Sequence, residues 1–218
     1  LRDYADSVFF KPLGMTNTHF HSDHAEITPN RTSAYSKDPN GVWKISIPVF
    51  DNYGATSLFT TVEDLAKWDE NFYTKKAGGD AFINLMQATG ALNNKTAQTY
   101  AAGLIVSTYK GYKTVAHSGA DAGYRSNMIR FPDEHFSVVI LANLASINTI
   151  SLSYKVADLF LKDKRVQQPA FKADYNIVKG WAGDYFEMST QSLQNLTYTN
   201  EKLSAGITEF LATTNSTF

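Results

Sequence analysis

The chain has 218 residues, 43% of them hydrophobic and 13% aromatic, with a net charge of −1 and no cysteine. That composition supports a packed core and excludes a disordered chain. It also excludes disulfides, thiol nucleophiles and Cys-ligated zinc. Acids and bases are interspersed, which argues against a nucleic-acid partner, and no apolar run reaches the roughly 18 residues of a membrane span.

In chain order, Leu1-Arg2-Asp3-Tyr4 has neither a basic leader nor a long apolar stretch, so the chain reads as starting inside a helix. Residues 1–10 read as the end of that helix, stopped before Pro12 and Gly14. Residues 16–56 are polar and rich in Thr, Asn, Ser and Pro, which predicts a long loop with at most short strands. Thr60 with Glu63 fits a capping box ahead of a helix striped by Val62, Leu65, Trp68 and Phe72. A second helix over 80–89 is closed by Gly90.

Four runs near 100–107, 112–118, 124–131 and 136–142 are separated by the turn signals Lys110-Gly111, Gly119 to Gly123 and Pro132-Asp133-Glu134. Short connections of this kind join antiparallel neighbours, so a meander is predicted. Phe136 to Ala142 is apolar on both faces and reads as a central strand covered by helices. Ile147, Ile150, Tyr154, Ala157 and Leu161 make a helical stripe over 146–162, and Lys162, Lys164 and Arg165 near its end read as cations facing water. Residues 166–173 look like a linker, and strand-like pieces follow at 182–188, 193–199 and 203–207. The expected organisation is therefore α+β, an antiparallel meander packed with helices over 1–165 and a partial β module over 174–218.

Three motifs bear on function. His19, His21, Asp23 and His24 match a His-x-His-x-Asp-His pattern that can ligate zinc and generate hydroxide. That pattern requires a buried strand before it and more ligands after it, whereas here it follows the turn-rich Pro12 to Asn17. Ser107-Thr108-Tyr109-Lys110 is formally a Ser-x-x-Lys. In an extended chain, however, residues three apart are separated by about 10 Å and point to opposite faces, so Lys110 cannot serve Ser107. His117-Ser118-Gly119-Ala120 suits a substrate-binding edge: imidazole and hydroxyl for a carboxylate, Gly for close approach, and the Ala120 N–H for a developing oxyanion.

Phe10 to Thr18, containing Pro12-Leu13-Gly14-Met15, resembles the "PLGM-x-x-T" stretch of the class C β-lactamase and penicillin-binding-protein-like family. Gly54 to Trp68 resembles that family's "G-G-L-x-S-T-x-x-D-L" loop and helix. His117-Ser118-Gly119 followed by Gly123-Tyr124-Arg125-Ser126 resembles its third motif, Lys-Thr-Gly or His-x-Gly, with "G-F-x-S" after it. Phe131-Pro132-Asp133 leading to Val139 to Asn143 resembles the next hairpin, and Trp181 to Tyr185 with Glu201-Lys202-Leu203 resembles the start of a lipocalin-like module.

The resemblance implies acyl transfer on amide or ester substrates, without a cofactor, by a serine hydrolase in the periplasm or outside the cell. Its nucleophile motif Ser-x-x-Lys and its Tyr-x-Asn lie upstream of "PLGM", so this chain is expected to lack them and to be inactive alone. His117 and Ser118 are implied to position a small-molecule or peptide substrate, with Gly119 allowing close approach and Ala120 N–H an oxyanion donor. Gly54 and Ser57 border the cleft, and Tyr124 and Arg125 shape its rim or serve only sheet packing and an ion pair. Histidine at position 117, where β-lactamases keep Lys, weakens a purely electrostatic grip on a carboxylate. The alternatives are a zinc hydrolase built on the histidine segment, and a non-catalytic binding module that keeps the ligand edge. Faces left uncovered without an upstream segment are expected to self-associate.

Overall fold

A computed structural model describes residues 1–164, 174–187, 192–200, 202–205 and 208–210. The chain divides into two compact units, residues 1–164 and 165–218. The architecture is mixed α and β with antiparallel sheets, as the alternating and helical periods predict.

Unit one opens with a helical segment over residues 2–13 (α1) whose middle, Asp6–Phe10, is a π turn. The helix therefore runs through Pro12 instead of stopping before it. Proline has no N–H to donate and crowds the preceding turn, and the wider π register just ahead of it relieves both problems. Gly14 ends the segment at φ 70°, with its N–H on the Lys11 carbonyl and the Met15 N–H on that of Phe10. Short strands follow in the polar stretch: β1 (His19–Phe20), β2 (Tyr35–Lys37), β3 (Trp43–Ile45) and β4 (Leu58–Phe59). β1 pairs with β4, and β2 with β3.

Helix α2 spans Val62–Thr74. Its cap is Thr61, not Thr60: the Thr61 hydroxyl accepts the Asp64 N–H, while the Thr60 hydroxyl meets that of Thr18 at 2.8 Å. Helix α3 (Gly79–Gln87) stops earlier than expected, because Ala88 is extended and Gly90 instead accepts the Gln98 N–H in a small loop.

The main sheet is β5 (Ile105–Tyr109), β6 (Tyr112–Asp121), β7 (Tyr124–Phe131) and β8 (Phe136–Ala142), in that order. Two expectations change here. The first strand begins at 105, since Ala101 to Gly103 turn the chain back on itself, and β6 continues to Asp121. β8 is an edge strand within this sheet, not a central one; it is apolar on both faces because helices cover both.

One cover is α2. Its Asp69 carboxylate takes the Arg130 guanidinium of β7 and the Ser137 hydroxyl of β8, the latter at 2.7 Å. Arg130 is only 2% exposed and stacks over Phe72 at 4.0 Å. The other cover is α4 (Thr149–Phe160), shorter than the predicted 146–162 because Asn148 caps it through the Ser151 N–H. Its Ala157 joins Ile129, Phe131, Val138 and Tyr112 in the main core, and Ser153 accepts from the buried Asn127 amide. Lys164 pairs with Glu134; Arg165 and the predicted linker 166–173 lie outside the described residues.

Unit two contains a short helix, α5 (Tyr175–Lys179), and four consecutive antiparallel strands, β9 (Gly183–Glu187), β10 (Ser192–Thr199), β11 (Lys202–Ala205) and β12 (Thr208–Phe210). Neither the helix nor the last strand was foreseen from the sequence.

α1 and the loop after it are fastened to α2 by Asp64, which is fully buried. Its Oδ2 accepts the Asn17 N–H and the Thr18 hydroxyl, each at 2.8 Å, and its Oδ1 takes the Lys67 ammonium at 2.8 Å, which also reaches the Gly14 carbonyl. Burial alone pushes this carboxyl up, but Lys67, Thr18 and the Asn17 N–H together hold it below its ordinary value. A carboxyl whose folded pKa is depressed stabilises the fold fully above the unfolded value of about 4, and that contribution is lost as pH falls through the folded value. Asp64→Ala is predicted to cost about 3 kcal/mol at neutral pH, since it removes the buried acceptor on which the Asn17 N–H, the Thr18 hydroxyl and the Lys67 ammonium converge, and to flatten the acid limb of stability measured by denaturant titration against pH.

Candidate functional site

The site-bearing segment lies in the far half of β6, and the backbone ladder determines what it presents. The two-residue turn Ala122-Gly123 makes Asp121 and Tyr124 a hydrogen-bonded pair, so the alternation of an antiparallel ladder gives Gly119–Ser126 and His117–Met128 the same character. Ser118 and Ala120 must therefore aim their N–H and C=O groups away from β7. On that side β5 reaches only as far as Ala116, opposite Ile105. Among the described residues no backbone hydrogen bond meets Ser118 or Ala120 there. The result is an open strand edge with donors and acceptors in place.

The turn that sets this register is itself clamped. The Gly123 N–H donates to the Ser46 carbonyl at 2.9 Å, and a Cβ at this position would come within 2.8 Å of the Tyr35 nitrogen and 2.9 Å of the Ser46 oxygen. Only glycine fits between the turn and the β2–β3 hairpin. At Gly119 a Cβ would lie 2.4 Å from the Ser126 hydroxyl, so the absent side chain leaves the edge flush beside Ser126.

Adjacent strand positions project to opposite faces. His117 therefore shares the α2 face with Gly119 and Ser126, whereas Ser118 shares the α4 face with Asn127. Imidazole and hydroxyl do not form one convergent pair; what they share is the edge. His117 is exposed, and its Nε2 lies 3.1 Å from the Tyr100 hydroxyl, with the two rings edge to face at 6.0 Å. The sequence reading missed Tyr100 because it placed position 100 within a strand; the Ala101-Ala102-Gly103 reversal is the signal that brings it back over β6.

Tyr124 donates its hydroxyl to the Thr32 carbonyl at 2.5 Å, and Arg125 donates to the carbonyls of Ala122 and Tyr124, so both brace the end of the hairpin. Ser57, at φ 65°, donates to the Asn52 carbonyl at 2.8 Å, and its own carbonyl accepts the His21 N–H. Gly54, at φ 118°, occupies a conformation suited to glycine. The described hydrogen bonds tie the Gly54–Ser57 loop to residues 52 and 21, not to the His117–Ala120 strand.

The histidine segment splits in two. His21 is 5% exposed, stacks on Phe59 at 4.4 Å and lies 3.4 Å from the His19 Nε2. His24 instead pairs with Asp51 at 2.8 Å, and among the described residues the ligand atoms within 4.8 Å of one another are those of Asp23, His24 and Asp51, all exposed. His19, His21, Asp23 and His24 thus do not form one centre, and the zinc-hydrolase reading does not fit.

Lys110 lies at positive φ past the end of β5 and binds Asp158 at 2.6 Å, so it does not serve Ser107. Among the described residues no Lys amine is hydrogen-bonded to a Ser hydroxyl. Amide hydrogen exchange followed by NMR tests the edge directly. Ser118 and Ala120 N–H are predicted to exchange much faster than those of His117 and Gly119, and equal protection of all four would contradict an open edge.

Three solved structures share the fold. A penicillin-binding protein homologue from Pyrococcus abyssi, described as octameric, superposes with a TM-score of 0.65 at 20% identity, over 93% of this chain and 47% of its own. A penicillin-binding protein from Bacillus halodurans gives 0.63 at 18%, over 73% and 49%. A D-stereospecific amidohydrolase from Streptomyces gives 0.55 at 15%, over 71% and 47%. The chain thus spans about half the length of each. No curated protein matches the chain in sequence. Residues 1–153 match the family model described as Beta-lactamase, and the chain belongs to that family.

Proposed function

We propose that these residues form one wall of an acyl-transfer cleft in a serine hydrolase acting on amide or ester substrates, with the attacking hydroxyl supplied from outside this wall. The observation that carries the reading is the unpaired edge of β6 at Ser118 and Ala120, next to an exposed imidazole. An extended substrate can add to such an edge as a further strand. The Ala120 N–H then serves as one oxyanion donor, where charge develops as the carbonyl becomes tetrahedral. His117, held by Tyr100, contacts a polar group of a small-molecule or peptide substrate, while Gly54 and Ser57 border the cleft and Tyr124 and Arg125 stiffen its rim.

Acylation needs a hydroxyl with a base in contact. The Lys side chains with described partners reach carboxylates, the Gly14 carbonyl or, for Lys37, the face of Trp43, so on this reading the 218 residues alone do not turn over substrate. A periplasmic or extracellular setting goes with the reading; among the described residues no helix is long and apolar enough to cross a membrane.

The chain is predicted to leave a chromogenic cephalosporin intact and to acquire no label from a fluorescent penicillin, as read by absorbance and intact mass. Turnover, or a covalent adduct on any serine here, would overturn the proposal.

A further inference from the structure

A second open edge lies on β3, on residues the polar loop reading passed over. The Asp38 N–H donates to the Val42 carbonyl and the Ser46 N–H to that of Ala34, so the even positions 42, 44 and 46 face β2. By the alternation of the ladder, Trp43, Ile45 and Ile47 turn their N–H and C=O groups outward. Among the described residues no backbone hydrogen bond is made to those groups.

The same positions carry large apolar side chains in water. Trp43 is 54% exposed and Ile45 65% exposed, and Ile47 and Val49 continue the alternation in exposed positions. Monomeric proteins usually blunt such an edge with a short strand, Lys or Pro on the edge, a bulge, an inward charge or a covering element. Here β3 is short, but Lys44 projects to the face opposite Trp43 and Ile45 and is paired with Asp38 at 3.9 Å. Pro48 lies past the three outward-facing positions, so Trp43, Ile45 and Ile47 keep their outward groups.

We infer that β3 pairs with β3 of a second copy of this chain, antiparallel about a two-fold axis through Ile45. The strand is self-complementary in that register. Ile45 faces the partner's Ile45, and Trp43 faces the partner's Ile47. Every outward N–H of the three positions then finds an outward carbonyl, and the apolar side chains meet as cross-strand pairs on one face. The charge pattern selects the same register: Lys44 lies opposite the partner's Ser46, whereas a slip that set Lys44 against its own copy would bring like charges together. The inference does not depend on the acyl-transfer reading, since β3 and the far half of β6 are separate edges.

The test exploits a chain without cysteine. Opposed residues of a hydrogen-bonded pair have Cα atoms about 5.5 Å apart, within disulfide reach. Ile45→Cys is expected to give a disulfide-linked dimer on mild oxidation, whereas Leu159→Cys, at an 81% exposed position elsewhere, stays monomeric. Sedimentation equilibrium of the unaltered chain is expected to show a concentration-dependent dimer, weakened roughly tenfold or more by Ile45→Lys. Amide exchange of Trp43 and Ile45 in the unaltered chain is expected to slow as concentration rises, a readout that holds even if a variant fails to fold. A monomer at every concentration reached, a dimer indifferent to Ile45→Lys, or equal cross-linking through Leu159→Cys would overturn the inference.

Discussion

β6 is ten residues long and its outer neighbour β5 is five, and the proposed chemistry depends on that difference. A strand paired on both sides has no polar backbone to offer. β5 ends opposite Ala116, and from His117 onward β6 is paired only with β7. The pleat then decides which groups face outward, and it selects Ser118 and Ala120. The Ala122-Gly123 turn fixes that parity, which is why a glycine clamped between the turn and the β2–β3 hairpin bears on a site several residues away.

The sheet holds its place through two carboxylates on one helix. Asp64 faces back to Asn17, Thr18 and Lys67 and fastens the loop after α1; Asp69 faces the sheet and takes Arg130 and Ser137. A buried guanidinium such as Arg130 is costly to desolvate, and it is tolerable because Asp69 neutralises it and the rings of Phe72 and Tyr73 lie against it. Replacing one partner alone would leave an unpaired buried charge, so the pair specifies how α2 sits on β7 and β8. The two stretches that resemble separate family motifs, Phe10–Thr18 and Gly54–Trp68, prove to be one physical unit, joined by the Asp64 carboxylate and the Thr18–Thr60 contact.

Much of this was legible in the sequence because it rests on local periods. The stripe from Val62 to Phe72 gives α2, and the runs at 124–131 and 136–142 are β7 and β8 to the residue. What was not legible depends on neighbours. Periodicity cannot show that β5 is shorter than β6, so the chemistry of His117 to Ala120 suggested a substrate-binding edge, but the reason that edge is open was not legible. It cannot distinguish a central strand from an edge strand covered on both faces, which is how β8 was misread. Thr60 and Thr61 are chemically equivalent as caps, and only the Thr18 contact decides between them. The histidine segment looked like one ligand set because spacing says nothing of Asp51, which draws His24 away, or of Phe59, which stacks on His21.

The central claim is that the unpaired edge of β6 receives the substrate while the reacting hydroxyl lies elsewhere. Its most direct test is a backbone NMR titration of this chain with benzylpenicillin, accompanied by intact mass. The account predicts reversible shift changes centred on Ser118, Gly119 and Ala120 and extending to Tyr100 and His117, with the mass unchanged. Shifts confined to another surface, or a mass increase from an acylated serine, would contradict it.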